Sequence, residues 1–238
     1  QSHYFMNVNC VNSYQWAAGR PFSFDDVIPG YDGMDVKARS VYFLRNNMTD
    51  TEKATMKAYG ADMSQYDESG NEARILKAYT GRDPRLAATV IAPYTNYLGG
   101  FASGAATNYQ TRWPYRSENA PDFDLRTGSP THMYYSIRKF VTVGKEHMNV
   151  TYNPVDVPVI RYADVLLCLA ECLNEQGKTK EAVNYVNEVR GRAGVAKLDS
   201  GADWLAVSGQ ADLRKRIQDE KHWELACEEQ LYLEELRW

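Results

Sequence analysis

The chain has 238 residues, 44% of them apolar and 24% charged, enough to bury a hydrophobic core and ordinary for a globular protein. Its formal net charge of −4 supplies no basic stripe with which to neutralise phosphates, which argues against nucleic acid as a partner. No apolar run approaches the roughly 20 residues that a membrane span needs, and 17 Tyr and 5 Trp against 7 Phe bias the aromatics toward rings with a polar edge.

The chain opens at Gln1 without a methionine and stops at Trp238 inside a helical pattern, so it is read as a piece of a longer protein. From residue 1 to 158 it is punctuated by Gly, Pro, Asn and Asp, the signature of turns and loops. Asn12, Tyr14 and Trp16 fall in an Asn-rich loop that also holds Arg20, and Tyr31-Asp32 sits in a Gly/Pro turn. Thr49-Asp50-Thr51-Glu52 predicts a capped helix running through Tyr59, and Asn71–Thr80 predicts another closed by Gly81. Short strands are expected over Ala87–Ala92 and Arg138–Val143. Between them, Tyr94–Asp124 reads as one long excursion carrying Tyr97, Phe101, Tyr109, Arg112, Trp113 and Tyr115, and loops of that length are usually functional or mobile.

The second half is helical. Tyr162, Val165, Leu166, Leu169, Ala170 and Leu173 recur at helical spacing and predict one broad apolar face. Gly177 ends that helix and Thr179 is placed to cap the next, which turns Ala182, Val183, Val186 and Val189 inward and stops at Gly194. The small residues Ala170 and Ala182 mark a close helix crossing, the packing logic of a tetratricopeptide-like hairpin. One such hairpin cannot bury its own face and needs partner helices. Gln210–Trp238 predicts a third long helix whose stripe Leu213, Ile217, Glu220, Glu224, Cys227 and Leu231 carries two carboxylates. Buried carboxylates require partners, and Arg161, Arg190 and Arg192 are the expected ones. The acidic group Glu228, Glu229, Glu234 and Glu235 reads as a solvated or partner-facing surface.

Chemistry-bearing constellations are scarce. His3, His132, His147 and His222 are scattered without a metalloprotease or triad spacing, and Cys168 and Cys172 lie four apart, which fits neither a redox nor a zinc motif. Cys10, Cys168, Cys172 and Cys227 are read as free thiols. Glu220 and Glu224 are one helical turn apart on a packing stripe, which suits structural ion pairs better than a glycosidase dyad. No catalytic residue, metal site or cofactor is therefore expected.

Three segments together carry a family resemblance. Arg161-Tyr162-Ala163-Asp164-Val165-Leu166-Leu167 with Ala170-Glu171-Cys172-Leu173-Asn174, then Asn187-Glu188-Val189-Arg190-Gly191-Arg192-Ala193-Gly194, then Ile217, Glu220, Glu224-Leu225-Ala226, Glu228 and Arg237-Trp238, resemble conserved-order motifs of SusD/RagB-like proteins. Upstream, Arg82-Asp83-Pro84-Arg85-Leu86 is similar to the motif that precedes the family's middle strands. Departures occur at Lys221, at Glu229-Gln230-Leu231 and at Glu234-Glu235, where the family pattern has other residues. The resemblance implies a mainly α fold: a tetratricopeptide-like hairpin and long C-terminal helix (159–238) packed on a loop-rich region with short strands (1–158), both parts of one SusD-like domain. It implies a non-catalytic outer-membrane lipoprotein, facing outward and anchored by lipid outside this chain, which binds oligosaccharide or polysaccharide. The implied partner is a SusC-like TonB-dependent transporter. Sugar binding needs flat aromatic faces ringed by polar groups, for which Asn12, Tyr14, Trp16, Tyr31, Asp32, Tyr109, Trp113 and Tyr115 are the candidates, Trp16 and Trp113 foremost. A helical protein-interaction module without its own sugar site, or a peptide binder, is the alternative.

Overall fold

The computed structural model describes residues 6–100, 106–114, 123–124, 135–141, 143–144 and 155–238. Over these residues the fold is mainly α, with short strands, and it divides into two compact units, neither continuous in sequence. One, here the loop-rich unit, is formed by residues 1–8, 23–80 and 90–155; the other, the helical unit, by residues 9–22, 81–89 and 156–238. The chain re-enters the helical unit at Asp156, and that unit also draws in two earlier segments.

The helical unit is built on α6 (Tyr162–Glu175), α7 (Thr179–Ala193) and α8 (Gln210–Leu225), with α1 (Val8–Ser13) and α5 (Pro84–Thr89) contributed from upstream. Gly177, at φ +77°, makes the tight turn between α6 and α7, and Gly194, at φ +75°, ends α7 in the left-handed conformation that glycine adopts at least cost. The N-cap of α7 is Lys178 rather than Thr179, whose hydroxyl instead donates to Asn174 Oδ1 at 3.0 Å. Asn174 is fully buried and also donates to the Gln210 carbonyl at 2.9 Å, so one amide ties together the end of α6 and the starts of α7 and α8. Ala170 and Ala182 are both fully buried, and Leu166, Leu167, Leu173, Val186, Val189, Leu213 and Ile217 fill the core around them.

Two expectations for these helices are corrected. The apolar face of α6 is narrower than its periodicity suggests: Tyr162, Val165 and Leu169 lie on an exposed flank, because the surrounding core takes up only the strip through Ala163, Leu166, Leu167, Ala170 and Leu173. The third helix is not continuous. It breaks at 226–228, where Cys227 takes φ +67°, and resumes as α9 (Glu229–Arg237). The break turns Glu228 inward, where Arg161 holds it with two hydrogen bonds of 2.8 and 2.7 Å. Glu228 is therefore buried rather than solvated. Glu234 is also engaged, accepting from Lys221 at 2.7 Å, so of the acidic group only Glu229 and Glu235 keep the exposed role.

The loop-rich unit contains α2 (Val36–Arg39), α3 (Asp50–Ala58) and α4 (Asn71–Leu76). Thr49 caps α3 in a reciprocal box with Glu52, as the sequence pattern predicts. Helix α4 stops at Leu76, short of the expected Thr80. The first expected strand is mostly helical. Asp83 accepts the Arg85 amide at 3.0 Å and Pro84 occupies the first turn, which starts α5 and leaves only β1 (Val90–Ile91) extended. Its partner β5 (Ser136–Ile137) precedes the expected Arg138–Val143 strand, with Val90 opposite Ile137 and Ile91 opposite Ser136. Phe140, at φ +62°, turns the chain away immediately afterwards. Inside the long excursion, β2 (Tyr97–Gly100) pairs antiparallel with β3 (Ala106–Gln110), which pairs parallel with β4 (Phe123–Asp124).

Candidate functional site

Two aromatic-bearing segments, one in each unit, are the candidates for ligand contact, and in both a buried arginine holds the backbone. In the helical unit Arg82 donates to the carbonyls of Tyr14 at 2.9 Å and Val11 at 2.9 Å, and its guanidinium lies 3.4 Å from the centre of the Phe22 ring. Trp16 bridges Arg82 through the backbone. Its half-buried ring lies 5.4 Å from Phe22, with Arg20 6.0 Å over its face. Gly19, at φ +78°, permits a close approach here: a methyl at that position would stand 2.5 Å from Leu205 Cδ2.

In the loop-rich unit Arg45 does the corresponding work. Its amide donates to the Trp113 carbonyl at 2.6 Å and its Nε to the Pro114 carbonyl at 3.0 Å. Its Nη2 reaches both oxygens of Glu52 at 2.6 and 2.7 Å, a charge-assisted contact. Burial pushes the Glu52 carboxyl up, yet hydrogen bonds from Thr49 and Arg45 outweigh that and hold it below the usual carboxylate range. Tyr94 donates its amide to the Thr111 carbonyl at 3.1 Å, so the residues flanking half-buried Trp113 are held on both sides.

The remaining candidates fall elsewhere. Tyr14 is fully buried, its hydroxyl donating to the Trp223 carbonyl at 3.1 Å, and it offers no face for stacking. Tyr31 is also a core residue. Phe24 stacks on it at 4.6 Å, Arg39 covers it at 5.0 Å, and burial pushes its phenol up to about 12. Both rings are withdrawn from the stacking set for that reason. Asp32 is exposed but committed to its own turn, accepting from Ser23 Oγ at 2.9 Å. Asn12 is half-buried, and its carbonyl accepts from Arg82 at 3.3 Å. Tyr109 lies on β3 opposite Tyr97. Tyr115, Phe101, His3, His132 and His147 lie outside the described residues.

The carboxylates of α8 sit in a network of charge. Glu220 is fully buried, 2.9 Å from Arg190 Nη1 and 2.7 Å from Arg85 Nη1. Glu224 accepts from Arg161 at 2.7 Å, from Arg85 at 3.2 Å and from Arg192. Asp83 completes the set, 2.7 Å from Arg85 Nη2. With both glutamates spent on arginines, neither is poised as a free acid or base. Arg85 and Glu228 were missed as members because their partners Glu224 and Arg161 lie 139 and 67 residues away in sequence, and Asp83 joins only through Arg85. Lys221 was missed too. Fully buried one position round from Glu220, it joins Glu171 at 2.8 Å to Glu234 at 2.7 Å, and no periodicity marks it. The thiols are unremarkable: burial raises Cys10 to about 11. No group of three or more His, Cys, Asp or Glu able to hold a metal ion occurs among the described residues, and none of their helices is long and apolar enough to cross a membrane.

Comparison with known proteins agrees with this architecture. Two SusD-like proteins of Formosa agariphila are similar to the chain: one is 40% identical over 81 residues, 34% of this chain and 15% of the relative. The other is 30% identical over 86 residues, 35% of this chain and 17% of the relative. The crystal structure of a SusD-like protein from Bacteroides fragilis shares the fold, with a TM-score of 0.55 at 20% identity, covering 97% of this chain and 35% of that one. The chain thus spans well under half the length of each of these relatives. The family model describing the SusD family matches residues 2–238, nearly the full length, and on that match the chain belongs to the SusD family.

Proposed function

We propose that this chain acts in non-catalytic glycan capture at the outer surface of a bacterium, in a lipid-anchored protein that passes oligosaccharides to a SusC-like TonB-dependent transporter. The observation that carries the reading is the match to the SusD family over residues 2–238. The engagement of Glu220 and Glu224 by four arginines supports the absence of catalysis, because a glycosidase needs one carboxyl free to protonate and one free to attack. Trp113 and Trp16 are the stacking residues in this proposal. Each is half-buried on a segment whose backbone is held, so little ordering would be left to oppose binding.

Affinity electrophoresis of the intact protein through gels containing amylopectin, xyloglucan, galactomannan or arabinogalactan tests it. Retardation by one of them supports glycan capture and names its class. Uniform migration through all of them moves the reading to a peptide ligand. One observation favours a protein-binding role for the helical unit: Tyr162, Val165 and Leu169 of α6 and Tyr232, Leu233 and Leu236 of α9 are exposed apolar residues on helices.

A further inference from the structure

We infer that Arg45 and Glu52 form a latch that positions Trp113 for ligand contact, an inference that rests on the glycan-binding reading. Trp113 lies just past β3, where residues 111–114 are in neither helix nor strand, and a side chain on such a segment is well placed only if its backbone is. Arg45 supplies that placement from 68 residues away. Its main chain meets the Trp113 carbonyl and its Nε meets the next carbonyl, Pro114.

Two such bonds to adjacent carbonyls define both the position and the direction of the segment. The guanidinium is itself held from behind. Nη1 donates to the carbonyls of Asn46 and Asn47, both at 3.0 Å, and Nη2 engages both Glu52 oxygens. Glu52 is the third residue of α3, the partner of Thr49 in its capping box, and accepts the Thr49 amide at 2.8 Å, so the latch is grounded in the first turn of a helix. The Arg45 carbonyl in turn accepts the Tyr66 hydroxyl at 2.9 Å. Every donor direction of this arginine is thereby used on one rigid frame, a pattern that only the planar fork of arginine can make. A lysine would keep the charge and lose the geometry.

The test uses the intact protein labelled with 5-fluorotryptophan, with the Trp113 resonance assigned by its disappearance in Trp113→Phe. The latch predicts that Arg45→Lys shifts or broadens that resonance while the fold, read by circular dichroism, persists. Glu52→Gln, a gentler change that keeps the arginine, should do the same to a smaller degree. On whichever gel polysaccharide retards the wild type, Arg45→Lys should weaken retardation about three- to tenfold, as much as Trp113→Ala, and the double variant should be no worse than either alone. A Trp113 resonance unchanged in both folded variants would overturn the latch. A resonance that moves, with retardation unaltered by Trp113→Ala, would uphold the latch and remove Trp113 from the glycan site. Should no polysaccharide retard the wild type, the resonance alone still decides whether the latch exists.

Discussion

The two units of this molecule are held together by different physics. In the helical unit, charge is buried in pairs: Glu220 and Glu224 on α8 are shared among Arg85, Arg161, Arg190 and Arg192, and the arginines arrive from three separate places in the chain, the last two from α7. In the loop-rich unit, buried polar side chains serve the carbonyls of irregular backbone. Asn71, fully buried, donates to Val41 at 2.8 Å and Leu44 at 2.7 Å, and Arg45 donates to four carbonyls besides pairing with Glu52. Helices satisfy their own backbone and leave side chains to fix how they pack. Loops cannot, and must borrow donors from elsewhere in the chain. Arginine therefore holds irregular backbone in both regions, through Arg82 and Arg45, and in the helical unit takes on the second task of pairing buried carboxylates.

That contrast can be broken at its strongest point first. Glu220→Ala leaves Arg85 and Arg190 facing each other without a shared carboxylate, and should cost about 3–5 kcal/mol in urea unfolding. A loss below about 1 kcal/mol would mean the network is dispensable for stability. Gly19→Ala should follow at roughly 2–4 kcal/mol, since the methyl collides with Leu205 while the residue is forced to keep a positive φ; a full-strength protein with unchanged melting would show that this turn relaxes freely. In the loop-rich unit Asn71→Ala removes a buried donor from two carbonyls and should cost about 1–3 kcal/mol. Hydrogen exchange should localise that loss to residues 41–44 and 71–76, and an effect spread evenly over the helical unit would contradict the division drawn here.

The smallest expected effect concerns α9. Glu171 is held at about 2, first by its hydrogen bonds from Arg237 and, against a burial that pushes it up, by Lys221. Because its folded pKa lies below the ordinary 4.5, the stability it lends is fully present above that value and fades as pH falls toward about 2. Exchange rates of α9 amides should therefore rise between pH 4.5 and 2 relative to those of α7, and in Glu171→Gln that extra rise should vanish. Equal behaviour of α7 and α9 across that range would show that these ion pairs do not dock α9.

What was legible from residues alone was local in origin. The Thr49–Glu52 box, the Gly177 and Gly194 stops and the inward face of α7 each depend on side chains within a few positions of one another, so spacing is sufficient to place them. The strand expected at 87–92 failed because a local signal was overlooked: Asp83-Pro84 starts a helix. The break at Cys227 had no comparable signal, since a cysteine at positive φ follows from Glu228 turning inward to Arg161, 67 residues upstream.

The family motifs specified how the helices pack, and their order along the chain was enough to identify the family. Which aromatics keep an exposed face was decided only in three dimensions. Tyr14 and Trp16 are two residues apart and alike in sequence context, yet one is fully buried with its hydroxyl on the Trp223 carbonyl and the other is half-buried, because burial depends on what the rest of the chain lays over a residue. The hold on Trp113 was likewise invisible, since Arg45 reaches it only after 67 intervening residues have folded back and brought the two together.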